Sequence, residues 1–179
     1  GHGIEGSLWR GAPAIHNGAD DNASGTAMML QLAHDLPRMP GAGSNNYLFM
    51  AFSGEELGLF GSNWWTKHPT VPLSELNYMV NLDMVGRLRN GVLQVHGVGT
   101  SPAFRPLLET ANLPPRLDLR LRDAGSGPSD HAHFLEAGIP VLFAFTGLHA
   151  DYHRTTDTAE RVDAPGEARV VDLLYRVLA

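Results

Sequence analysis

Apolar residues fall into short unbroken runs and into longer stretches at helical spacing, and the two kinds take turns along the chain. Asn46 to Phe52 (NYLFMAF), Asn77 to Leu82 and Val141 to Phe145 are unbroken runs, the pattern of strands covered on both faces. Val92 to Val98 predicts another strand. Leu117 to Leu121 (LDLRL) alternates, which predicts a half-exposed edge strand. Ala23 to Leu36 predicts a helix; Asp20, Asp21 and Asn22 offer caps before it, and Pro37 and Pro40 stop it. Glu56 to Lys67, Pro102 to Ala111 and Ser129 to Glu136 are shorter helices, the last closed by Gly138. A final helix beginning near Pro165 places Val170, Leu173, Leu174, Val177 and Leu178 on one face. Residues 1–19 and 37–45 show no period and read as loops. Strands alternating with helices predict an α/β fold, a three-layer sandwich around a mostly parallel central sheet.

Composition narrows this picture without changing it. The 179 residues suit one domain with a sizeable core, and 43% hydrophobic with 18% charged residues is ordinary for a globular chain. A formal net charge of −6 argues against a nucleic-acid partner, which needs a basic face. No apolar run approaches the roughly 20 residues that cross a bilayer, so no membrane partner is expected. There is no cysteine, so any metal must be held by carboxylate and imidazole, which suits zinc, with manganese and cobalt as alternatives.

The placement of the acids is more telling. Asp20 and Asp21 precede the first helix, Glu55 and Glu56 lie just past a buried strand, Asp83 ends the next, and His153 follows the last by a loop. Open α/β sheets bind ligands at the carboxyl ends of their strands. Each residue has a plain reading: helix caps for Asp20 and Asp21, acids favoured by a helix dipole for Glu55 and Glu56, a turn cap for Asp83, a surface group for His153. Together they point to a bound metal and hydrolytic chemistry, since several carboxylates converging on one point require a cation.

GADDNASG, FSGEELGLFGS, NLDMVG, SDHxxFxxxGIP (Ser129 to Pro140) and YHRTTDT, in this order from Asp20 to Thr158, resemble the zinc aminopeptidases and carboxypeptidases of metallopeptidase family 28. The resemblance implies a pair of zinc ions in the complete domain. It implies that Asp20 bridges both metals, with a cis Asp20–Asp21 peptide. It makes Glu56 and His153 ligands of one zinc, Asp83 a ligand of the other, and Glu55 the general base. Asp130 and Asp157 resemble groups that orient ligands or substrate, Asp130 within the catalytic set. The family's second zinc also takes a histidine from an upstream His-x-Asp motif, and none precedes Asp20 here. The chain is therefore expected to be a single zinc-peptidase-like domain (1–179), truncated at its N-terminus. It is expected to lack the family's N-terminal strand or strands and to hold as few as one zinc alone. His2 and His16 are candidates to substitute, with His16 placed rather in the entry loop.

The activity so implied is that of an aminopeptidase acting on a peptide with a free N-terminus, with Glu55 taking the proton of an activated water and returning it to the leaving amine. Phe60, Phe134, Phe145 and Tyr152 are candidates to line the side-chain pocket, and His131 and His133 are assigned surface or hydrogen-bonding roles. The alternatives are a single-zinc transferase resembling glutaminyl cyclases and an inactive binding module of the same fold. A secreted or periplasmic location is expected from the resemblance alone.

Overall fold

A computed structural model describes residues 2–3, 14–40 and 45–179. The expected loops at 1–19 and 37–45 are therefore seen in part, residues 1, 4–13 and 41–44 lying outside the described residues. Among the described residues four strands form one sheet: β1 (Met79–Leu82), β2 (Val92–His96), β3 (Asp118–Arg122) and β4 (Val141–Phe145), in the order β1-β4-β2-β3. The β1–β4 and β2–β3 pairings are parallel, with Met79 opposite Val141 and Val92 opposite Asp118. The β2–β4 pairing is antiparallel, with Val95 opposite Ala144.

Strand parity sorts the two faces of the sheet. Leu93, Val95, Leu142 and Ala144 point to one face. There they meet Met28 and Leu32 of α1 (Gly25–Asp35), Phe104 and Leu108 of α3 (Phe104–Ala111), and the Val170, Leu173, Leu174 and Val177 stripe of α5 (Ala164–Leu178). Each fully buried Leu or Val of that stripe contributes about 1.5–3 kcal/mol. Met79 and Val141 point to the other face, onto Trp65 of α2 (Phe60–Lys67) and Phe134 of α4 (His131–Glu136). This gives the expected three layers. β3 lies at the edge, with Leu119 and Leu121 packed inward and Asp118, Arg120 and Arg122 exposed, as its alternation predicts. α5 is capped by Asp163, whose side chain accepts the Gly166 N–H, with Pro165 in the first turn.

Two expectations need correction. Among the described residues Asn46–Phe52 forms no strand and pairs with none of β1–β4; it faces β1 across a cavity of about 1150 Å³. Its side chains are not covered on both faces: Leu48 is 45% and Phe49 37% exposed. The α2 helix begins at Phe60 rather than Glu56, because residues 54–59 form a tight turn.

Candidate active site

The site is built where three loops meet at the carboxyl end of β1. The first is the turn before α1, Ala19–Ser24, in which Asp21 and Asn22 have non-helical backbone. Asn22 ties it to β1: its Nδ2 donates to the Leu82 carbonyl at 2.8 Å, and its Oδ1 accepts from Met84 N at 3.3 Å and Gly25 N at 3.0 Å. Asp157 holds the same turn from behind, its Oδ2 accepting the N–H groups of Asp20 (3.0 Å) and Asp21 (3.1 Å).

These anchors aim the two aspartates apart. Asp20 is fully buried and turns away from the site: its Oδ1 accepts from Gly86 N at 2.6 Å and its Oδ2 meets His149 Nε2 at 2.9 Å. The Asp151 N–H donates to His149 Nδ1 at 3.2 Å, so the Nε2–H is the donor to Asp20. A β-carbon at Gly86 would stand 2.9 Å from Asp20 Oδ1, so the close approach needs glycine. Burial pushes the Asp20 carboxyl above its usual range, against the Gly86, Ser24 and His149 contacts that lower it.

The second loop follows residues 46–52. Gly54 takes φ +70°, a left-handed turn that a side chain strongly disfavours. The Glu55 carbonyl then accepts from Gly58 N at 3.0 Å and Leu59 N at 2.9 Å, closing a turn that displays Glu55 and Glu56 side by side. The third loop runs from β4 to α5 and carries His153 (φ +54°), with Tyr152 stacked on its ring at a centroid distance of 3.8 Å.

Four side chains converge here. His153 Nε2 lies 3.0 Å from Asp21 Oδ2 and 3.2 Å from Glu56 Oε1. His2 Nε2 lies 3.3 Å from the same Asp21 oxygen, and its Nδ1 lies 3.1 Å from the same Glu56 oxygen. Donor atoms of His2, Asp21, Glu56 and His153 all lie within 4.8 Å of one another. A backbone pairing delivers His2: its N–H donates to the His16 carbonyl at 3.0 Å, and His16 N returns a 2.8 Å bond to Gly3. Hydrogen bonding to Asp21 raises the His2 pKa, against burial.

Further acids surround the four. Asp83 accepts from Ser129 Oγ at 2.8 Å, and burial pushes it up to about 6, helped by the charges of Asp21, Glu56 and Asp130. Glu55 is pushed up to about 7 by burial, then by Asp83, Glu56, Asp130 and Asp21. Asp130 is raised by burial and lines the same cavity as Glu55, Glu56 and Asp83. The ion pairs of Asp21 and Glu56 among the described residues are all to His2 and His153. Two imidazoles and two carboxylates in a surplus of negative charge are a donor set that fits zinc.

The structure thus brings Glu56 and His153 together with Asp21, not with Asp20. Asp20 has both oxygens committed elsewhere, and the cis peptide is Asp21–Asn22 rather than Asp20–Asp21. Asp83 and Glu55 stand beside the four donors, outside the set within 4.8 Å. Of the two substitute histidines, His2 enters the cluster, while His16 is buried and supports it. Among the aromatic candidates, Phe134 is fully buried core against Trp65 and Phe52, and Phe60 is 59% exposed. Of the two roles expected for His131 the structure shows the hydrogen-bonding one and not the surface one: it is fully buried, stacks on Phe143, and its Nδ1 lies 3.4 Å from Asn81 Nδ2. Sequence reasoning missed His149 and Arg87, which sit in loops with no periodicity to mark them.

The sequence profile of Peptidase family M28 matches residues 7–178. Aminopeptidase YwaD of Bacillus subtilis is 34% identical over 170 residues, 88% of this chain and 36% of that protein. A solved zinc aminopeptidase from Bacillus subtilis superposes with a TM-score of 0.75 at 31% identity, covering 90% of this chain and 41% of that one. Glutaminyl cyclase of Porphyromonas gingivalis shares the fold, with a TM-score of 0.71 at 21% identity, over 92% of this chain and 64% of that one. The chain therefore spans a little over a third of the length of the curated aminopeptidase it matches. With the profile covering nearly all of it, the chain belongs to peptidase family M28.

Proposed function

We propose that this chain is the catalytic part of a zinc-dependent aminopeptidase. The observation that carries the reading is the convergence of His2, Asp21, Glu56 and His153 within 4.8 Å, with Glu55 next in sequence to one of them. These four residues are the proposed zinc ligands, and Asp83 is a candidate ligand for a second ion. When bound, zinc supplies Lewis acidity toward the scissile carbonyl and lowers the pKa of water. Glu55 makes none of the four donor contacts, so it is free to take the proton of the attacking water and carry it to the leaving amine nitrogen as the peptide C–N bond breaks. Burial, the largest cause of the raised Glu55 pKa, persists when metal binds and makes the carboxylate a better proton acceptor, while the part owed to Asp83, Glu56, Asp130 and Asp21 falls as zinc neutralises its ligands. The surplus acids Asp83 and Asp130 favour the free α-ammonium of a peptide, which supports exopeptidase action.

A second reading is a single-metal transferase of the glutaminyl-cyclase kind. It is favoured by one feature: the four donors gather at one point and Asp83 stays outside them. One experiment separates the two. The chain is loaded with zinc, its metal content measured, and turnover followed on leucine p-nitroanilide and on a peptide with N-terminal glutamine. Hydrolysis of the anilide is expected. Glu55→Gln should lower kcat by about 10²–10⁴-fold with zinc content unchanged. Cyclisation without hydrolysis would select the second reading, and turnover of neither by a zinc-loaded chain would refute both.

A further inference from the structure

Behind the candidate ligands lies a buried cation that the proposed chemistry does not use. Arg87 follows Asp83 by four residues, and its side chain is only 11% exposed. Its Nη2 donates to Asp157 Oδ1 at 3.0 Å and its Nη1 to Asp151 Oδ2 at 3.3 Å. Asp157 is 1% exposed, and its other oxygen receives the N–H groups of Asp20 and Asp21. Asp151 precedes His153 by two residues, and Thr156 donates to its second oxygen at 2.6 Å. One guanidinium therefore joins the loop after β1, the turn carrying Asp21 and the loop carrying His153. The backbone supports the same junction: Arg87 N donates to Thr146 Oγ1 at 3.2 Å, and Asp163 N donates to the Gly86 carbonyl at 2.8 Å.

We infer that Arg87 is a positioning residue for the metal site: through Asp151 and Asp157 it sets the relative placement of Asp21, Asp83 and His153. This rests on the zinc-peptidase reading above. Backbone bonds cross between the three loops singly (Ala19 N to the Asp157 carbonyl at 3.2 Å, Thr146 N to the Met84 carbonyl at 2.9 Å), and Arg161 Nη1 shares Asp151 Oδ2 at 3.1 Å, but among the described residues Arg87 is the one side chain that bonds Asp151 and Asp157 together. A planar fork that reaches two carboxylates at once fixes both distance and direction, which a single ammonium does not. Displacement of a ligand by a fraction of an ångström is enough to weaken a metal site and slow its chemistry.

The test measures Zn²⁺ affinity of the full chain by competition with a chromophoric chelator, together with thermal midpoint and the kinetics of anilide hydrolysis. The variants are Arg87→Met, Arg87→Lys and, as a core control of comparable instability far from the loops, Leu108→Ala. Arg87→Met is expected to weaken zinc binding about 10–100-fold, the usual cost of losing an outer partner of a metal site, with kcat falling more than KM rises. Arg87→Lys is expected to regain most of the thermal midpoint and little of the affinity, and it carries the test if Arg87→Met does not fold. Leu108→Ala should lose stability and keep its zinc affinity. Zinc binding by both Arg87 variants within twofold of the wild type would overturn the inference. So would an equal loss of affinity in Leu108→Ala, which would trace the effect to stability alone. A wild-type chain that takes up no zinc would instead bring down the peptidase reading, and this inference with it.

Discussion

At the scale of single residues, Asp20 and Asp21 divide the work of the site. Adjacent aspartates before a helix are equivalent in any pattern of spacing, so the choice between them is not legible in the sequence. What separates them is tertiary: Gly86 N and His149 claim the first, while Asn22 and Asp157 hold the turn so that the second faces His153. Asp21→Asn is therefore expected to weaken zinc binding by more than the roughly 10–100-fold of an outer-shell change. Asp20→Asn should cost about 1–3 kcal/mol of stability, from its buried hydrogen bonds, and leave the larger part of the affinity. The lower end is favoured, because burial already disfavours the Asp20 charge. Urea titrations read against zinc competition will separate the two effects, and a larger affinity loss in Asp20→Asn would reverse the assignment. His2 is equally hard to place from spacing, since among the described residues it is the backbone pairing with His16, fourteen positions on, that brings it to the site. Glu56 and His153 are easier, because each lies inside a motif visible in the sequence, FSGEELGLFGS and YHRTTDT.

At the scale of elements, parity and helical stripes were legible because burial enforces them, as in β3 and α5. Turns such as Glu55–Leu59 were not, because a left-handed Gly54 redirects the chain before helical spacing can begin. Helix α4 supplies a prediction of its own. It packs His131 flat on Phe143 of β4, with a centroid distance of 4.5 Å, and burial holds the imidazole down to about 4. The unfolded chain takes up a proton at this histidine near pH 6.5, and the folded chain does so only near 4. Stability linked to His131 is thus intact above about pH 6.5 and is lost progressively as pH falls to about 4. Glu55 and Asp83 work the opposite way in the metal-free chain: their raised values favour the folded state at lower pH. The contribution of His131 is therefore read as a difference. His131→Leu should show a shallower loss of urea midpoint between pH 6.5 and 4 than the wild type, and parallel curves would place the acid sensitivity elsewhere.

At the scale of the whole molecule, the gap between Asn46–Phe52 and β1 decides how the chain behaves in solution. β1 pairs with β4 on one side, and its other side faces the cavity of about 1150 Å³. Leu48 and Phe49 line that cavity and are 45% and 37% exposed, so exposed apolar side chains lie beside an edge of β1 that has no strand partner among the described residues. Such an edge pairs readily with another chain. A net charge of −6 opposes close approach of two copies at low salt, and that repulsion is screened when the Debye length falls to about 3 Å near 1 M salt. The mean mass from sedimentation velocity should therefore rise with salt, together with fluorescence of an apolar dye. Leu48→Lys should suppress both. It costs little stability, within about 0.5 kcal/mol, because the position is half exposed. The substitution also lowers the net negative charge, which by itself would promote association. A fall in association can then arise only from disrupting the apolar edge, whereas an unchanged or steeper rise would show that copies meet through another face.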